Sequence, residues 1–296
     1  MLCAFAAIVV LPELPDTFFV PSAAKSIRCM TTHLSRLFAL CFVFIPVLLS
    51  GMTFEYAETD PIGRFYLLSA RNGIIVRLSS EETLKRGDGP ALMSRLQEPA
   101  GLQLQFPSSV WVLDRTGKTI LEFDTDLNYL GSLALSSQIE DPIAFLILSD
   151  GSWLLADALN QKIWQFNPGF STPVPWGTGR VFAVIPPDLS LMSDGNKVYC
   201  FSPAESIVWI ADTQGRLRQS FQIPDSLGIQ HLAGGWKDFV FLSGPKGTWM
   251  LSPGISPKKI DDKSCLRIWK NRRIRPDGSS IPGGFDLYLP KGTSTP

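Results

Sequence analysis

The sequence predicts an all-β fold, a β-propeller, and three observations predict it. Five segments repeat one pattern, two runs of β-branched or aromatic residues on either side of a polar turn. The repeats follow one another at intervals of 40 to 45 residues, which is enough for about four short strands and is typical of one propeller blade. Helical periodicity is nearly absent between the repeats.

Each repeat is predicted to form a β-hairpin, because runs of strand-forming residues flank polar turn dipeptides. Apolar runs at residues 143–148, 189–192 and 229–232 precede three of the hairpins, and residues 129–135 and 216–223 follow two of them as outer strands. The turns fall at Asn72-Gly73, Thr116-Gly117, Asn160-Gln161 and Lys246-Gly247. The equivalent position in the second arm of the hairpin is Val76, Leu121, Trp164, Trp209 and Trp249, at intervals of 45, 43, 45 and 40 residues.

A sixth blade is predicted from a shorter signal late in the chain. Residues 286–289 resemble another inner strand, in which Tyr288 lies 47 residues beyond Phe241, but only seven residues follow them. Residues 53–57 are therefore expected to supply a strand that closes the last blade, since an open ring would expose two sheet edges. The prediction is six four-stranded blades, and the alternatives are a five-bladed ring with an appended tail or a large β-sandwich.

The first 52 residues are predicted to lie outside the propeller. Residues 37–51 are a run of fifteen without a charge, preceded by Arg36, as in a secretory signal peptide. The run is short for a membrane-spanning helix, which needs about 20 apolar residues. Residues 1–29 are interpreted as an over-extended start or leader, 30–52 as a signal peptide or uncleaved anchor, and 53–296 as the propeller. We expect export to the periplasm or the cell exterior, with membrane contact only if the leader is retained.

The charge of the chain limits the kinds of partner that are expected, and its cysteines bear on whether a disulfide forms. The 27 Lys and Arg residues equal the 27 Asp and Glu residues, so no basic surface for nucleic acid is expected. The one basic run, residues 270–275, is interpreted as a solvated loop. Cys200 and Cys265 fall in separate predicted strands and are interpreted as small buried hydrophobic residues, with a disulfide in an oxidising compartment as the alternative.

Few residues have the pattern of a catalytic or metal site. His231 is the only histidine after the leader, which excludes a histidine-cluster metal site, and it is interpreted as structural because its neighbours are apolar. Asp114 and Asp157 each end an apolar run before a turn, where an aspartate accepts backbone N–H bonds and fixes the hairpin. The repeated tryptophans are interpreted as packing between blades.

One repeat resembles a known family. Its residues 142–145 (PIAF), 149–151 (SDG), 154–157 (LLAD) and 160–166 (NQKIWQF) resemble the NHL repeat, in which a proline and an apolar strand precede D-G, a strand ending in aspartate, and N-x-R-I-x-x-F. Residues 110–118 (VWVLDRTGK) are similar, more weakly, to the repeats of PQQ-type propellers, which have more blades than this chain can form. The NHL resemblance implies a six-bladed propeller.

Two functions are expected from this reading. The first is an exported binding or scaffolding module, with a protein, peptide or glycan partner on a loop face, no catalytic residues and no cofactor. The second follows from a likeness to propellers of the lactonase class, in which axial carboxylates hold calcium. In that alternative Asp114 and Asp157 are candidate calcium ligands of a hydrolase.

Overall fold

The computed structural model describes residues 53–78, 85–87, 96–105, 107–166, 172–177, 184–263, 265, 267–269, 272–274, 276 and 280–282. These residues form β-strands and turns, together with one 3₁₀ turn at Asp225–Leu227. No helix in this part of the chain is long and apolar enough to span a membrane. The predicted leader, residues 1–52, lies outside the described residues.

Five four-stranded antiparallel sheets follow one another along the chain, and each keeps its strands in sequence order. We call them blades 1 to 5. Blade 1 contains β1 (Tyr56–Thr59), β2 (Phe65–Ser69), β3 (Ile74–Leu78) and β4 (Lys85–Gly87); blade 2 contains β5 (Pro99–Gln105), β6 (Ser109–Asp114), β7 (Thr119–Asp124) and β8 (Tyr129–Ala134); blade 3 contains β9 (Pro142–Ile147), β10 (Trp153–Asp157), β11 (Lys162–Phe166) and β12 (Val174–Pro175). Blade 4 contains β13 (Ser190–Ser193), β14 (Lys197–Ser202), β15 (Ile207–Asp212) and β16 (Leu217–Gln222); blade 5 contains β17 (His231–Trp236), β18 (Phe239–Gly244), β19 (Gly247–Ser252) and β20 (Ile255–Asp261).

The all-β propeller prediction is confirmed, but the structure shows five four-stranded blades and not six. A smaller sheet of three strands, β21 (Arg267–Trp269), β22 (Arg272–Ile274) and β23 (Ser280–Pro282), lies between blade 5 and blade 1. The first strand of each sheet contacts the first strand of the next, and β21 contacts both β17 and β1, so the described sheets close into a ring. These first strands are therefore the innermost strands.

Two expectations from the sequence are wrong, one about the closing strand and one about the basic run. Tyr56–Thr59 does not complete the last blade, because it pairs with β2 as the innermost strand of its own blade. The seam instead includes one backbone hydrogen bond, from Phe54 N to Pro276 O at 2.9 Å. The basic run is also not simply a loop, since Arg272–Ile274 forms β22 and Ile274 is buried. The strand expected at residues 286–289 lies outside the described residues.

The predicted hairpins are confirmed as the second and third strands of the five blades. Apolar runs that precede them form innermost strands, and the runs at 129–135 and 216–223 contain the outermost strands β8 and β16. The repeated position on the third strand pairs at equivalent register in every blade, as Leu67–Val76, Val112–Leu121, Leu155–Trp164, Cys200–Trp209 and Leu242–Trp249.

In the described part of the chain the hydrophobic core is divided into six clusters, one between each pair of neighbouring sheets. Alternate residues of one strand enter different clusters: in β2, Tyr66 and Leu68 face blade 2, whereas Phe65 and Leu67 face Ile274 of the small sheet. Both faces of the middle strands are thus buried, which explains why these strands are continuous apolar runs. Burying one such side chain stabilises the fold by roughly 1.5–3 kcal/mol.

Candidate functional site

The six innermost strands surround a channel along the axis of the ring. A cavity of about 290 Å³ lies at the end where these strands begin, and its lining includes Tyr56, Glu98, Leu189 and His231. We call this end the strand-start face. A second cavity of about 220 Å³ is lined by later residues of the same strands, such as Leu104 and Ile147, and we call the corresponding end the strand-end face.

A group of charged side chains is held together at the strand-start face. Arg115 donates two hydrogen bonds to Asp141, 2.7 Å from Nε to Oδ1 and 3.0 Å from Nη2 to Oδ2. A third, of 3.3 Å, goes from Nη1 to Glu98 Oε1, and the Thr116 hydroxyl donates to Glu98 Oε2 at 2.7 Å. The hydrogen bonds to Asp141 raise the pKa of the Arg115 guanidinium, which therefore stays charged. We call Glu98, Arg115 and Asp141 the rim network.

Tyr56 lines the cavity beside the rim network. Burial raises the pKa of its phenol to about 12, the carboxylates of Glu55 and Glu98 act in the same direction, and Arg115 opposes them. Tyr56 is therefore a neutral phenol at physiological pH, available as a hydrogen-bonding group but not as a phenolate base.

An ion pair lies inside the channel. Arg267 Nη2 on β21 approaches Glu58 Oε2 on β1 to 3.0 Å, and the two side chains are only 11% and 10% exposed. Burial raises the pKa of Glu58, whereas Arg267 and the backbone N–H of Thr59 favour its ionised form. Both residues line both cavities, so the ion pair lies where the cavities meet. Gln103 Nε2 is 3.5 Å from Glu58 Oε1.

His231 lines the larger cavity but is engaged with the backbone. Its Nε2 lies 2.7 Å from the carbonyl oxygen of Cys265. A carbonyl oxygen can only accept, so Nε2 carries the proton. Burial lowers the pKa of His231, and the bond to Cys265 opposes this only in part. The ring is therefore neutral, as the sequence-based interpretation of a structural histidine expects.

The two aspartates singled out from the sequence are buried at the ends of β6 and β10 and line neither axial cavity. Asp114 accepts the backbone N–H groups of Gln97 and Glu98 at 2.8 and 3.0 Å. Asp157 accepts those of Glu140 and Asp141, both at 3.0 Å. Each carboxylate therefore binds the connection that leads into its own blade.

Asp157 has three further donors. The Asn160 side chain donates at 2.8 Å, the Asn160 backbone at 3.2 Å, and Trp164 Nε1 at 3.3 Å. Burial by itself would raise the pKa of Asp157, but the bonds from Asn160, Glu140 and Asp141 outweigh it and lower the pKa. Within the described residues, no three His, Cys, Asp or Glu side chains are grouped as metal ligands would be.

The strand-end position of Asp114 and Asp157 recurs in every blade and is always buried. The five residues are Ser69, Asp114, Asp157, Ser202 and Gly244. In blade 4 the Ser202 hydroxyl donates to Asp188 at 2.9 Å, and Asp188 also accepts the N–H of Ala204 at 2.7 Å. In this blade the carboxylate, Asp188, lies in the connection that leads into the blade, and the hydroxyl lies at the strand end, which is the reverse of the arrangement at Asp114 and Asp157. In blades 1 to 4 the side chain at this position takes part in a hydrogen bond, and aspartate is one way to provide it.

Sequence reasoning missed the charged residues of the channel and the rim. Glu58 and Arg267 are each the charged member of a short, mainly uncharged run, YAET and CLRIW, and a charge within an innermost strand is the signal that could have identified them. Arg115 stands directly after the predicted strand-end aspartate, but its bonds to Glu98 and Asp141 join two different blades and leave no local pattern.

Comparisons with known proteins give similarity of fold. No protein-family model and no curated protein sequence matches the chain. A catalytically inactive virginiamycin B lyase from Staphylococcus aureus with quinupristin superposes with a TM-score of 0.52 at 8% identity, over 79% of this chain and 84% of that one. Selenomethionine-substituted virginiamycin B lyase from the same organism gives 0.51 at 8%, over 79% and 85%. A streptogramin B lyase gives 0.51 at 9%, over 79% and 83%.

At this level of identity the solved structures establish the architecture alone. They do not confirm the NHL-repeat assignment, which depends on one repeat of the sequence. Together with the strand order, they show that this chain is a β-propeller.

Proposed function

We propose that this chain is an exported β-propeller that acts as a binding module and holds a protein, peptide or glycan partner on its strand-start face. The rim network is the observation that carries the proposal. Its charged side chains are 29% to 52% exposed, so a partner can reach them, and each is already fixed by hydrogen bonds. Side chains that are fixed before binding lose less conformational entropy when a partner binds.

The charges of this face favour a partner rich in hydrogen-bond donors. The carboxylates of Glu98 and Asp141 pair with one guanidinium, that of Arg115, and a third carboxylate, Glu55, acts with Glu98 on Tyr56. A basic peptide segment or the hydroxyl groups of a glycan would match such a surface. Glu98 and Asp141 lie in the connections into blades 2 and 3, and the strands of those blades fix the connections in position. A rigid scaffold of this kind is a common support for binding loops.

To test this proposal, the purified full-length chain is applied to arrays of peptides and of glycans. The binders are then measured by titration calorimetry with the parent protein, with Glu98→Gln and with Asp238→Asn, which removes the same charge on the strand-end face. We expect Glu98→Gln to weaken binding about fivefold, the equivalent of ~1 kcal/mol, and Asp238→Asn to leave it within twofold. Equal effects of the two substitutions would place the partner elsewhere.

Export is supported by the uncharged run at residues 37–51 that follows Arg36. N-terminal sequencing of the protein recovered from the periplasm or medium tests it. A start near residue 52 is expected, and recovery of the whole chain in the membrane fraction would instead indicate a retained anchor.

The competing hypothesis is a calcium-dependent hydrolase in which Asp114 and Asp157 hold the metal. It needs their carboxylates to turn toward the axis, away from the backbone N–H groups that they accept. Such a rearrangement would leave those buried donors unpaired, at a cost of about 1–3 kcal/mol each.

A further inference from the structure

We propose that the axial channel binds a small uncharged amide, such as a peptide group or a carboxamide, between Arg267, Glu58 and Thr59. This site is inside the ring and separate from the rim network, so it extends the proposed function and can be tested independently of it. Two residues that line the channel, Arg267 and Thr59, each carry one polar atom that could bind such a ligand.

Both atoms are buried and lack a hydrogen-bond partner. They are Arg267 Nε, on a residue that is 9% exposed, and Thr59 Oγ1. Arg267 and Thr59 line the same 220 Å³ cavity. A buried polar atom without a partner costs about 1–3 kcal/mol, so a ligand recovers this free energy if the Arg267 and Thr59 side chains turn these atoms toward the cavity. A single water needs only ~10–15 Å³ of such space, and the cavity is large enough for a bigger occupant.

The charge of the cavity favours an uncharged ligand. Glu58 and Arg267 are the charged residues of its lining, and they already neutralise each other at 3.0 Å. An anion would compete with Glu58 for Arg267, and a cation would compete with Arg267 for Glu58. Either would leave one buried charge without its partner, which is strongly unfavourable.

An amide matches the free hydrogen-bonding groups. Its carbonyl oxygen can accept from Arg267 Nε–H and from the Thr59 hydroxyl, and its N–H can donate to Glu58 Oε1. The present neighbour of Glu58 Oε1 is Gln103 Nε2 at 3.5 Å, and Gln103 Oε1 is 3.4 Å from Ile147 N. Both distances exceed the usual 2.7–3.2 Å, so Gln103 can exchange these contacts for a ligand at little cost.

The remaining walls suit the alkyl part of such a ligand. Four apolar side chains from three different innermost strands, Leu104, Leu146, Ile147 and Met192, form most of them, and Pro61 and Ser193 form the rest. The ion pair also lines the 290 Å³ cavity at the strand-start face, which gives the ligand a route along the axis. Burial of a few methyl groups against these side chains adds about 25 cal/mol per Å² of apolar surface.

The experiment follows the Arg267 Nε–H resonance by ¹H–¹⁵N NMR of the labelled full-length chain, with Arg267→Lys to assign it. The probes are N-methylacetamide, which carries one peptide group, and acetate, a charged molecule of similar size. We expect N-methylacetamide to shift the resonance saturably and to bind at least tenfold more tightly than acetate. Thr59→Val, which keeps the branched shape without the hydroxyl, should weaken this binding about fivefold.

Control variants separate the site from general effects. Arg218 is an exposed residue of the outermost strand β16 and pairs with Asp212. Arg218→Lys should leave the titration with N-methylacetamide unchanged. Absence of a saturable shift with N-methylacetamide would mean that water alone occupies the channel, and tighter binding of acetate would make it an anion site. Equal affinity of Thr59→Val and the parent protein would also overturn the proposal, whereas weaker binding in Thr59→Val with an unchanged fold supports it.

Discussion

Asp157 Oδ1 accepts the backbone N–H of Asp141 at 3.0 Å, so a buried carboxylate holds the residue whose own side chain binds Arg115. Asp114 does the same for Glu98, the other acidic member of the rim network. The two aspartates that the sequence indicates as candidate calcium ligands therefore hold the backbone of two residues of the rim network in position. Their role in any binding at this face is indirect, through the backbone of the residues that they fix.

Replacing Asp157 by asparagine should destabilise the protein by about 2–3 kcal/mol. Asparagine keeps one acceptor oxygen but turns an N–H₂ group toward backbone donors, and hydrogen bonds to a charged group contribute roughly 1.5–3 kcal/mol. Asp150→Asn is the matched control, since Asp150 is exposed and, among the described residues, accepts bonds from Ser152 alone. It should cost less than ~1 kcal/mol. Urea unfolding measures both values, and similar losses would show that the buried bonds of Asp157 contribute little.

The stability of the protein should decrease from pH 7 to pH 5 because of His231. The pKa of this histidine is lowered by burial in the folded protein, so the unfolded chain takes up the proton first, near its ordinary pKa of about 6.5. Stability therefore falls as the pH drops through that value, by at most ~1.4 kcal/mol per pH unit, and levels off below the folded pKa. His231→Gln should reduce this pH dependence of the free energy of unfolding, which urea unfolding at several pH values measures. A slope that persists in the variant would assign the effect to other groups.

Gly235→Ala should destabilise the contact between blades 4 and 5. A Cβ at Gly235 would lie 2.8 Å from Tyr199 Cγ and closer still to other atoms of that ring, and Tyr199 is buried. Such overpacking costs about 1–3 kcal/mol. At Gly131 on β8 a Cβ meets nothing within 4 Å, so Gly131→Ala should be neutral or stabilise by about 0.5 kcal/mol. Thermal unfolding compares the two, and an unchanged Tm for Gly235→Ala would contradict the predicted overlap.

Cys200 and Cys265 should be unreactive in the native protein. Neither has exposed surface, in agreement with their interpretation as buried residues. Burial raises the pKa of Cys200 well above its ordinary value, which suppresses the reactive thiolate. Alkylation followed by peptide mass spectrometry should label neither residue until urea unfolds the chain. Labelling of Cys265 alone in native buffer would show that the region before β21 opens.

A calcium chelator should leave the melting temperature unchanged within about 1 °C. In the proposed binding module the carboxylates of Asp114 and Asp157 are satisfied by backbone N–H groups, so removal of calcium changes none of their contacts. A bound metal would instead stabilise the fold by mass action. Thermal unfolding with EGTA, and again with excess calcium, makes the test. A calcium-dependent rise in Tm that Asp157→Asn abolishes would favour the hydrolase hypothesis.

Local patterns predicted the blades well because each blade is a local structure. Turn dipeptides such as Asn72-Gly73, together with the apolar runs on either side, specify a hairpin within about fifteen residues. The spacing of Trp164, Trp209 and Trp249 predicted their packing role, and all three belong to the clusters between sheets. Closure could not be found in this way: the three strands of the small sheet repeat no blade pattern. Residues 53–57 were assigned to the last blade, whereas Tyr56 and Ala57 begin β1 of blade 1.

The sequence by itself determined the repeat, the hairpins and the structural use of Asp114 and Asp157, since periodicity and turn chemistry act between residues close in the chain. Only the tertiary structure decided the number of four-stranded blades, the rim network and the channel. Glu58 and Arg267, from the first and the last described sheets, meet because the ring closes. That closure depends on the angle at which successive sheets pack face to face. The angle is determined by the packing of side chains that come from different blades.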